Sequence, residues 1–270
     1  MKRAYLLTTT AIVVAYLTIL LIQGISEEVA MLREVAAQRT AVTRLSYCAE
    51  AISDDLPRYL RREVEREVLR SAASGDLPDP SKIDVEEWRT ASSDYLTAQK
   101  VLAELDIGGA SLSRSNAPEG AVVCKASLGY SLQDQVYETE LQGEGAVTFV
   151  VPVRIYLMSD VASNFRWSIA DKIKRAFSVN GNTSADTVRG IISETIGEYK
   201  RSCANMGLEF GVDVGMEFSS DNETTTVFVS FKDLRVTDVS PSAEILVDGK
   251  PTRVTFRMKS SNRTLVFRHN

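Results

Sequence analysis

The chain has 270 residues, which suits one membrane anchor together with one large or two small domains. Its hydrophobic fraction of 44% and charged fraction of 25% are those of an ordinary globular protein. The formal net charge is -5, whereas a nucleic-acid-binding protein needs a clustered basic face, so we expect no nucleic-acid partner.

An uninterrupted apolar segment follows a short basic leader at residues 1–4. Tyr5–Ile25 contains no charged residue, and Glu27 and Glu28 follow it. Because about 20 apolar residues are enough to cross the hydrocarbon core, we predict a single transmembrane helix over 5–25, embedded in membrane lipid. Positive charge before the span and negative charge after it place the N-terminus in the cytoplasm and the rest of the chain outside. A cleaved secretory signal is the alternative, although its apolar core would be shorter.

The helical spacing of apolar residues continues beyond this span, and it predicts an amphipathic stalk over 26–74. The side chains that we expect to pack against other helices are Val35, Val42, Leu45, Ala49 and Ile52. Such a stripe fits either a coiled coil with other chains or a stalk packed on its own head, and the sequence leaves both open. Pro57 follows three good capping residues, which predicts a kink or a restart of the helix there.

We predict an extracytoplasmic α+β head over 81–270, with candidate internal boundaries near 120 and 207. Its first part is expected to hold a helix over Ser81–Leu105 that ends at Gly108-Gly109, followed by a polar loop over 111–120. Alternation then predicts strands over 121–132 and 136–141.

The second part of the head begins with the strongest strand signal, Ala146–Met158, in which Pro152 indicates an edge position or a bulge. Two helices are predicted over 161–177 and 184–206. The remaining sequence alternates, and it predicts an antiparallel sheet made of two hairpins and a last strand. Their ranges are 208–218 with 224–234, 243–247 with 252–258, and 263–268.

No catalytic or cofactor-binding motif is recognisable. The one histidine, His269, excludes a histidine-dependent triad or a multi-histidine metal site within one chain. Asp54 with Asp55, Glu86 with Glu87, and Asp233 with Asp238 are carboxylate pairs, but acid–base catalysis requires two carboxylates in one cleft. Asp221, Asn222 and Glu223 offer oxygen ligands for calcium, but their spacing does not match an EF-hand, and we interpret them as the tip of a hairpin. We therefore expect no catalytic, cofactor or metal site and no enzyme activity.

Three cysteines allow at most one internal disulfide. The cysteines are expected either to be three buried thiols or, in an oxidising compartment, to form one disulfide. For that disulfide we predict the pair Cys124 and Cys203. Three N-x-S/T sequons follow the predicted span and are candidate glycosylation sites, at Asn182, Asn222 and Asn262.

Arg3-Ala4 before a long apolar run resembles the processing site of archaeal type IV prepilins. The resemblance implies cleavage between Ala4 and Tyr5, after which the apolar helix serves as an anchor and then as a filament core. The order of apolar helix, amphipathic continuation and β-rich head is also similar to Tad-class pilin-like proteins. Thr9 stands where bacterial pilins carry glutamate, and the head is large for a major pilin. The resemblance therefore implies a minor or tip-associated subunit.

Three functions remain open from the sequence. The first is a non-enzymatic, membrane-anchored, pilin-like component of a type IV pilus or secretion-type structure, which associates with itself or with protein partners through its N-terminal helix. The second is a single-span assembly protein of such a machine, which retains its leader. The third is an anchored extracytoplasmic sensor or enzyme, which would require a cleft with convergent polar groups.

Overall fold

A computed structural model of the chain describes residues 2–180, 183–221, 223–247 and 249–268, with side chains from Val13 onward except that of Asn180. The first helix, α1, spans Lys2–Ser74. In the described part of the chain it is the one helix long and apolar enough to cross a membrane. Its apolar window has a mean hydropathy of 1.5, and 0% of that window is buried within the structure.

The head is a mixture of helices and antiparallel strands, so the predicted α+β class is confirmed. Its helices are α2 (Glu86–Ala98), α3 (Ile155–Asn180) and α4 (Ala185–Asn205), and its longer strands are β1 (Val101–Asn116), β2 (Glu119–Asp134), β3 (Glu140–Val151), β4 (Leu208–Ser220) and β5 (Thr224–Asp238). Four short strands complete it: β6 (Glu244–Val247), β7 (Lys250–Arg253), β8 (Thr255–Met258) and β9 (Ser261–Arg268).

The described strands form separate sheets. One has the order β1-β2-β3, and a second has the order β4-β5-β8, with β9 also pairing with β5. Strands β6 and β7 pair with each other. The chain divides into two compact units. Unit 1 comprises residues up to Asp54, Arg89–Asp106 and Gly129–Glu144, and unit 2 comprises Asp55–Trp88, Ile107–Leu128 and residues from Gly145 onward.

Helix α1 passes through Pro57 without interruption, so the predicted restart is wrong. A proline inside a helix removes one ladder hydrogen bond and costs about 3 kcal/mol. Leu56 and Leu60, on either side of the proline, are fully buried, and their burial favours the continuous helix. The helix ends in a Schellman motif around Gly75 (φ 74), in which the Asp76 amide donates to the Ser71 carbonyl at 2.9 Å.

The prediction for residues 81–120 is only partly correct. A helix is present but shorter, as α2, and residues 101–116 form strand β1 instead of a helix end and a polar loop. Gly108 lies inside this strand, where a Cβ would fall 2.2 Å from the Ser127 Oγ on β2. The glycine therefore permits close approach of the neighbouring strand and does not end an element.

The predicted strand over 146–158 is correct only as far as Val151, where β3 ends. Pro152 follows the strand and does not lie in a bulge, and residues from Ile155 begin α3. A short apolar run does not distinguish a buried strand from a buried helix by periodicity. Here the proline separates one element of each kind, because it lacks the amide hydrogen that the ladder needs.

The C-terminal half agrees more closely with the sequence. Helix α4 starts after Ser184, whose Oγ accepts from the Thr187 amide at 3.2 Å as an N-cap. The first hairpin is β4 with β5, and the last strand is β9, as predicted. The second hairpin is shorter than expected because β7 ends at Arg253. The following strand, β8, pairs with β5 instead.

Candidate protein-packing surface

Residues 26–40 of α1, the exposed segment, form a bare stretch of helix after the predicted span. Each is exposed except Ala37, which is half-buried. The segment is about 22 Å long at 1.5 Å per residue. Its large apolar side chains are Val29, Met31, Leu32 and Val35, of which Leu32 is 65% exposed. A contiguous apolar face left open to solvent is typical of an interaction site.

The stripe predicted to pack against other helices divides into two parts. Leu45, Ala49 and Ile52 are buried within the structure, whereas Val35 and Val42 are exposed. Leu45, Ala49 and Ile52 already pack within the chain and cannot also contact another chain. Contact with another chain is therefore open only to the part of the stripe nearer the predicted membrane span.

An ion pair holds α1 in unit 1 just beyond the exposed segment. Arg44 Nη1 lies 3.1 Å from Asp134 Oδ2, and the Asp134 side chain is fully buried. The other oxygen of that carboxylate accepts from the backbone amides of Val136 and Tyr137 at 2.9 and 3.1 Å. The same aspartate therefore caps the turn after β2 and fixes the helix to it.

A groove of about 500 Å³ lies on unit 1 at the end of the exposed segment, lined by Arg39, Thr40, Thr43, Arg44, Tyr47, Cys48, Tyr95 and Gln99. Its rim carries two exposed tyrosines, Tyr47 and Tyr95. Tyrosine and arginine are enriched where proteins bind one another. The groove thus extends the exposed apolar face of α1 onto the head.

Unit 2 contains a buried ion pair. Arg154 Nη2 lies 2.6 Å from Asp238 Oδ1, and the Asp238 side chain is fully buried. The same guanidinium donates to the carbonyls of Met206 and Gly207 at 2.7 and 3.0 Å. It therefore ties the start of α3 to the end of α4 and to the end of β5. Burial acts to raise the pKa of Asp238, but hydrogen bonds from Arg154 and Ser240 outweigh it and lower that pKa.

The three cysteines are free, buried thiols in the structure. Burial raises the pKa of Cys124 and of Cys203 to about 11, so neither is a reactive thiolate at neutral pH. The bridge between Cys124 and Cys203 stays a prediction for the oxidised protein.

The remaining predicted positions are only partly described. Ala4 and Tyr5 lie within α1, but their side chains are outside the described residues. Asn182 and Asn222 also lie outside the described residues, whereas Asn262 is exposed on β9. The glycosylation and processing sites therefore stay predictions.

Several of the carboxylates considered for catalysis or calcium binding have structural partners. Asp221 Oδ1 accepts from the backbone amides of Glu223 and Thr224, as expected of a hairpin tip. Asp55 accepts from the indole of the buried Trp88 at 2.9 Å. Asp233 is exposed and pairs with Arg235, whereas Asp238 is buried and pairs with Arg154. Within the described residues no group of three or more histidine, cysteine or acidic side chains could hold a metal ion.

Sequence reasoning did not find the Arg154–Asp238 pair or the arginines on α3 and β9 described below. Arg154 lies inside an apolar run, where a lone charged residue signals a buried partner, but the partner is far away in sequence. Nothing in the local pattern identifies that partner.

Comparison of the chain with protein-family models, with curated proteins and with solved structures finds no match.

Proposed function

We propose that this chain is a non-enzymatic, membrane-anchored, pilin-like component of a type IV pilus or secretion-type surface structure, with its N-terminus in the cytoplasm. The observation that carries the proposal is the exposed segment of α1. A helix that only anchored a head would gain nothing from a bare apolar face beyond the membrane, because exposed apolar area is unfavourable in water. The face therefore has an occupant, and we take it to be α1 of another copy.

Charge spacing on the exposed segment supports self-association. Glu28 and Arg33 are five residues apart, and Glu34 and Arg39 are five residues apart, all four exposed. A parallel second helix shifted by about 7.5 Å along the axis would place each glutamate of one copy beside one arginine of the other. Glu28 would then lie beside Arg33, and Glu34 beside Arg39. Charges at the edge of an apolar helix seam select partner and register in this way. A constant axial shift between identical helices is a heterologous contact, which builds open helical filaments.

The proposal predicts contact between copies at Leu32. A photoreactive amino acid at this position in the full chain, in native membranes, is expected to give an adduct of twice the chain mass. The same amino acid at the exposed Lys125 of the head is the control for crowding and should give little adduct. Equal adducts at both positions, or an adduct at Leu32 with only a different protein, would contradict self-association.

The charge register can be tested in the same assay. Arg33→Glu is expected to reduce the Leu32 adduct, because it places like charges together, at a cost of about 0.2–1 kcal/mol per pair. Adding Glu28→Arg to that variant restores opposite charges at the same shift and should restore the adduct. A double variant that stays as weak as Arg33→Glu would exclude this register.

A further inference from the structure

Two arginines meet where α3 lies against the edge of the β4-β5 sheet in unit 2. Strands β8 and β9 follow one another along β5, with Met258 opposite Leu234 and Ser261 opposite Phe231. Ser261 and Arg263 are two residues apart and so lie on the same face of β9. Arg263 stacks on the ring of Trp167 from α3, with 3.9 Å between the guanidinium carbon and the ring centroid.

The second arginine, Arg166, is next to Trp167 on α3. Its Nη1 lies 3.1 Å from the Met258 sulfur, and its guanidinium carbon lies 5.9 Å from the Phe231 ring centroid. A thioether is a weak acceptor, and a ring face satisfies a cation only in part. Burial, together with the charge of Arg263, lowers the pKa of Arg166, so the two guanidinium groups are near enough to repel each other.

Part of the hydrogen-bonding capacity of this cluster is not used. The Nε of Arg166 and the Oγ of Ser261 are both buried and have no hydrogen-bond partner. In the part of the chain that the structure describes, neither arginine is within salt-bridge distance of a carboxylate. Buried polar atoms in folded proteins nearly always have a partner, and an uncompensated guanidinium is costly to bury.

We propose that Arg166, Arg263 and Ser261 form a binding site for an oxyanion, a phosphate or a carboxylate group. Guanidinium groups donate in a planar fork that matches the oxygens of both anions, and a serine hydroxyl supplies one further donor. Stacking on Trp167 holds Arg263 in place, so little side-chain entropy is lost on binding. Trp167, on which Arg263 stacks, is 63% exposed, so this side of the cluster is open to solvent. A free anion or a carboxylate on a protein surface can approach from that side.

Trp167 also provides the readout. The chain has two tryptophans, and the other, Trp88, is buried. Full-length protein in detergent at low ionic strength is titrated with inorganic phosphate and, separately, with a tetrapeptide that contains one glutamate. We expect a saturable change in tryptophan fluorescence, with half-saturation on the order of 1 mM. Tighter binding of phosphate would indicate a free tetrahedral anion, and tighter binding of the peptide a protein carboxylate.

Arg263→Gln is expected to weaken binding by about ten- to a hundredfold, because it removes charge-assisted hydrogen bonds. Arg268→Gln removes the same charge from an exposed position on the same strand and should leave the affinity unchanged. Sodium chloride at matched ionic strength should not reproduce the signal. The proposal is overturned if neither anion gives a saturable change, or if the two arginine variants weaken binding equally.

Discussion

Replacing Arg154 with methionine is expected to lower the free energy of unfolding by about 3–5 kcal/mol. The methionine fills much of the same volume but leaves the fully buried carboxylate of Asp238 without its cation. It also removes donors to the Met206 and Gly207 carbonyls. Chemical denaturation of the full chain in detergent, followed by circular dichroism, measures the loss.

The matched control is Arg235→Met. Arg235 lies on the same strand as Asp238 and pairs with Asp233 at 3.6 Å, but both side chains are more than half exposed. Exposed pairs contribute about 0–1 kcal/mol, so this variant should unfold nearly as the unchanged protein does. If the two variants differ by less than about 1 kcal/mol, the buried pair does not organise unit 2.

The same pair makes a prediction about pH. Because the pKa of Asp238 is lowered in the folded protein, its contribution to stability is present above the ordinary pKa of aspartate, about 3.9. That contribution is lost as the pH falls through the lowered folded-state value. In Arg154→Met, burial without the cation raises the pKa of Asp238, so the aspartate is protonated more readily. The stability difference between the two proteins should therefore shrink as the pH falls from the raised pKa of Asp238 in the variant to its lowered pKa in the unchanged protein.

Leu60→Ala is expected to cost about 2–5 kcal/mol of unfolding free energy, whereas Leu32→Ala should cost less than about 0.5 kcal/mol. Both substitutions are leucine to alanine within α1, so differences in helix propensity cancel. Leu60 is 0% exposed and its removal leaves a cavity, while Leu32 is open to solvent. Denaturation of dilute protein in detergent measures both.

In an assay of self-association the order of the two effects should reverse, with Leu32→Ala having the larger one. Leu32→Ala is expected to weaken self-association in membranes, because it trims the face proposed to contact another copy. Leu32→Ala with unchanged association would remove the role assigned to the exposed segment, whatever the effect of Leu60→Ala on folding.

The elements that could be predicted from sequence are those fixed by local signals. The apolar run after the leader, Ser184 as an N-cap, and the alternation of β4 and β5 each depend on residues near one another in the chain. Each of them is present in the structure. The prediction for residues 101–116 was wrong because they form a strand by pairing with β2, and this pairing overrides weak local preferences.

The polar sites were harder to predict because their partners are distant in sequence. Arg154 meets Asp238, and Arg166 meets Met258 at the end of β8, only after α3 has been placed on the sheet. The packing stripe of α1 could be predicted in part. Its period predicted one continuous face, but periodicity does not say which part of that face the chain covers itself. Burial of Leu45 and exposure of Val35 supply that division.

The N-terminal residue of the protein purified from its native host tests the central claim most directly. A pilin-like subunit must lose its basic leader before its helix leaves the bilayer, because moving Lys2 and Arg3 through the hydrocarbon core would cost about 2.5 to 3.5 kcal/mol each. An assembly protein that stays in the membrane has no such requirement. We expect the mature chain to begin at Tyr5. A chain that begins at Met1 or Lys2, in cells with an active prepilin peptidase, would contradict the proposal and favour the assembly protein.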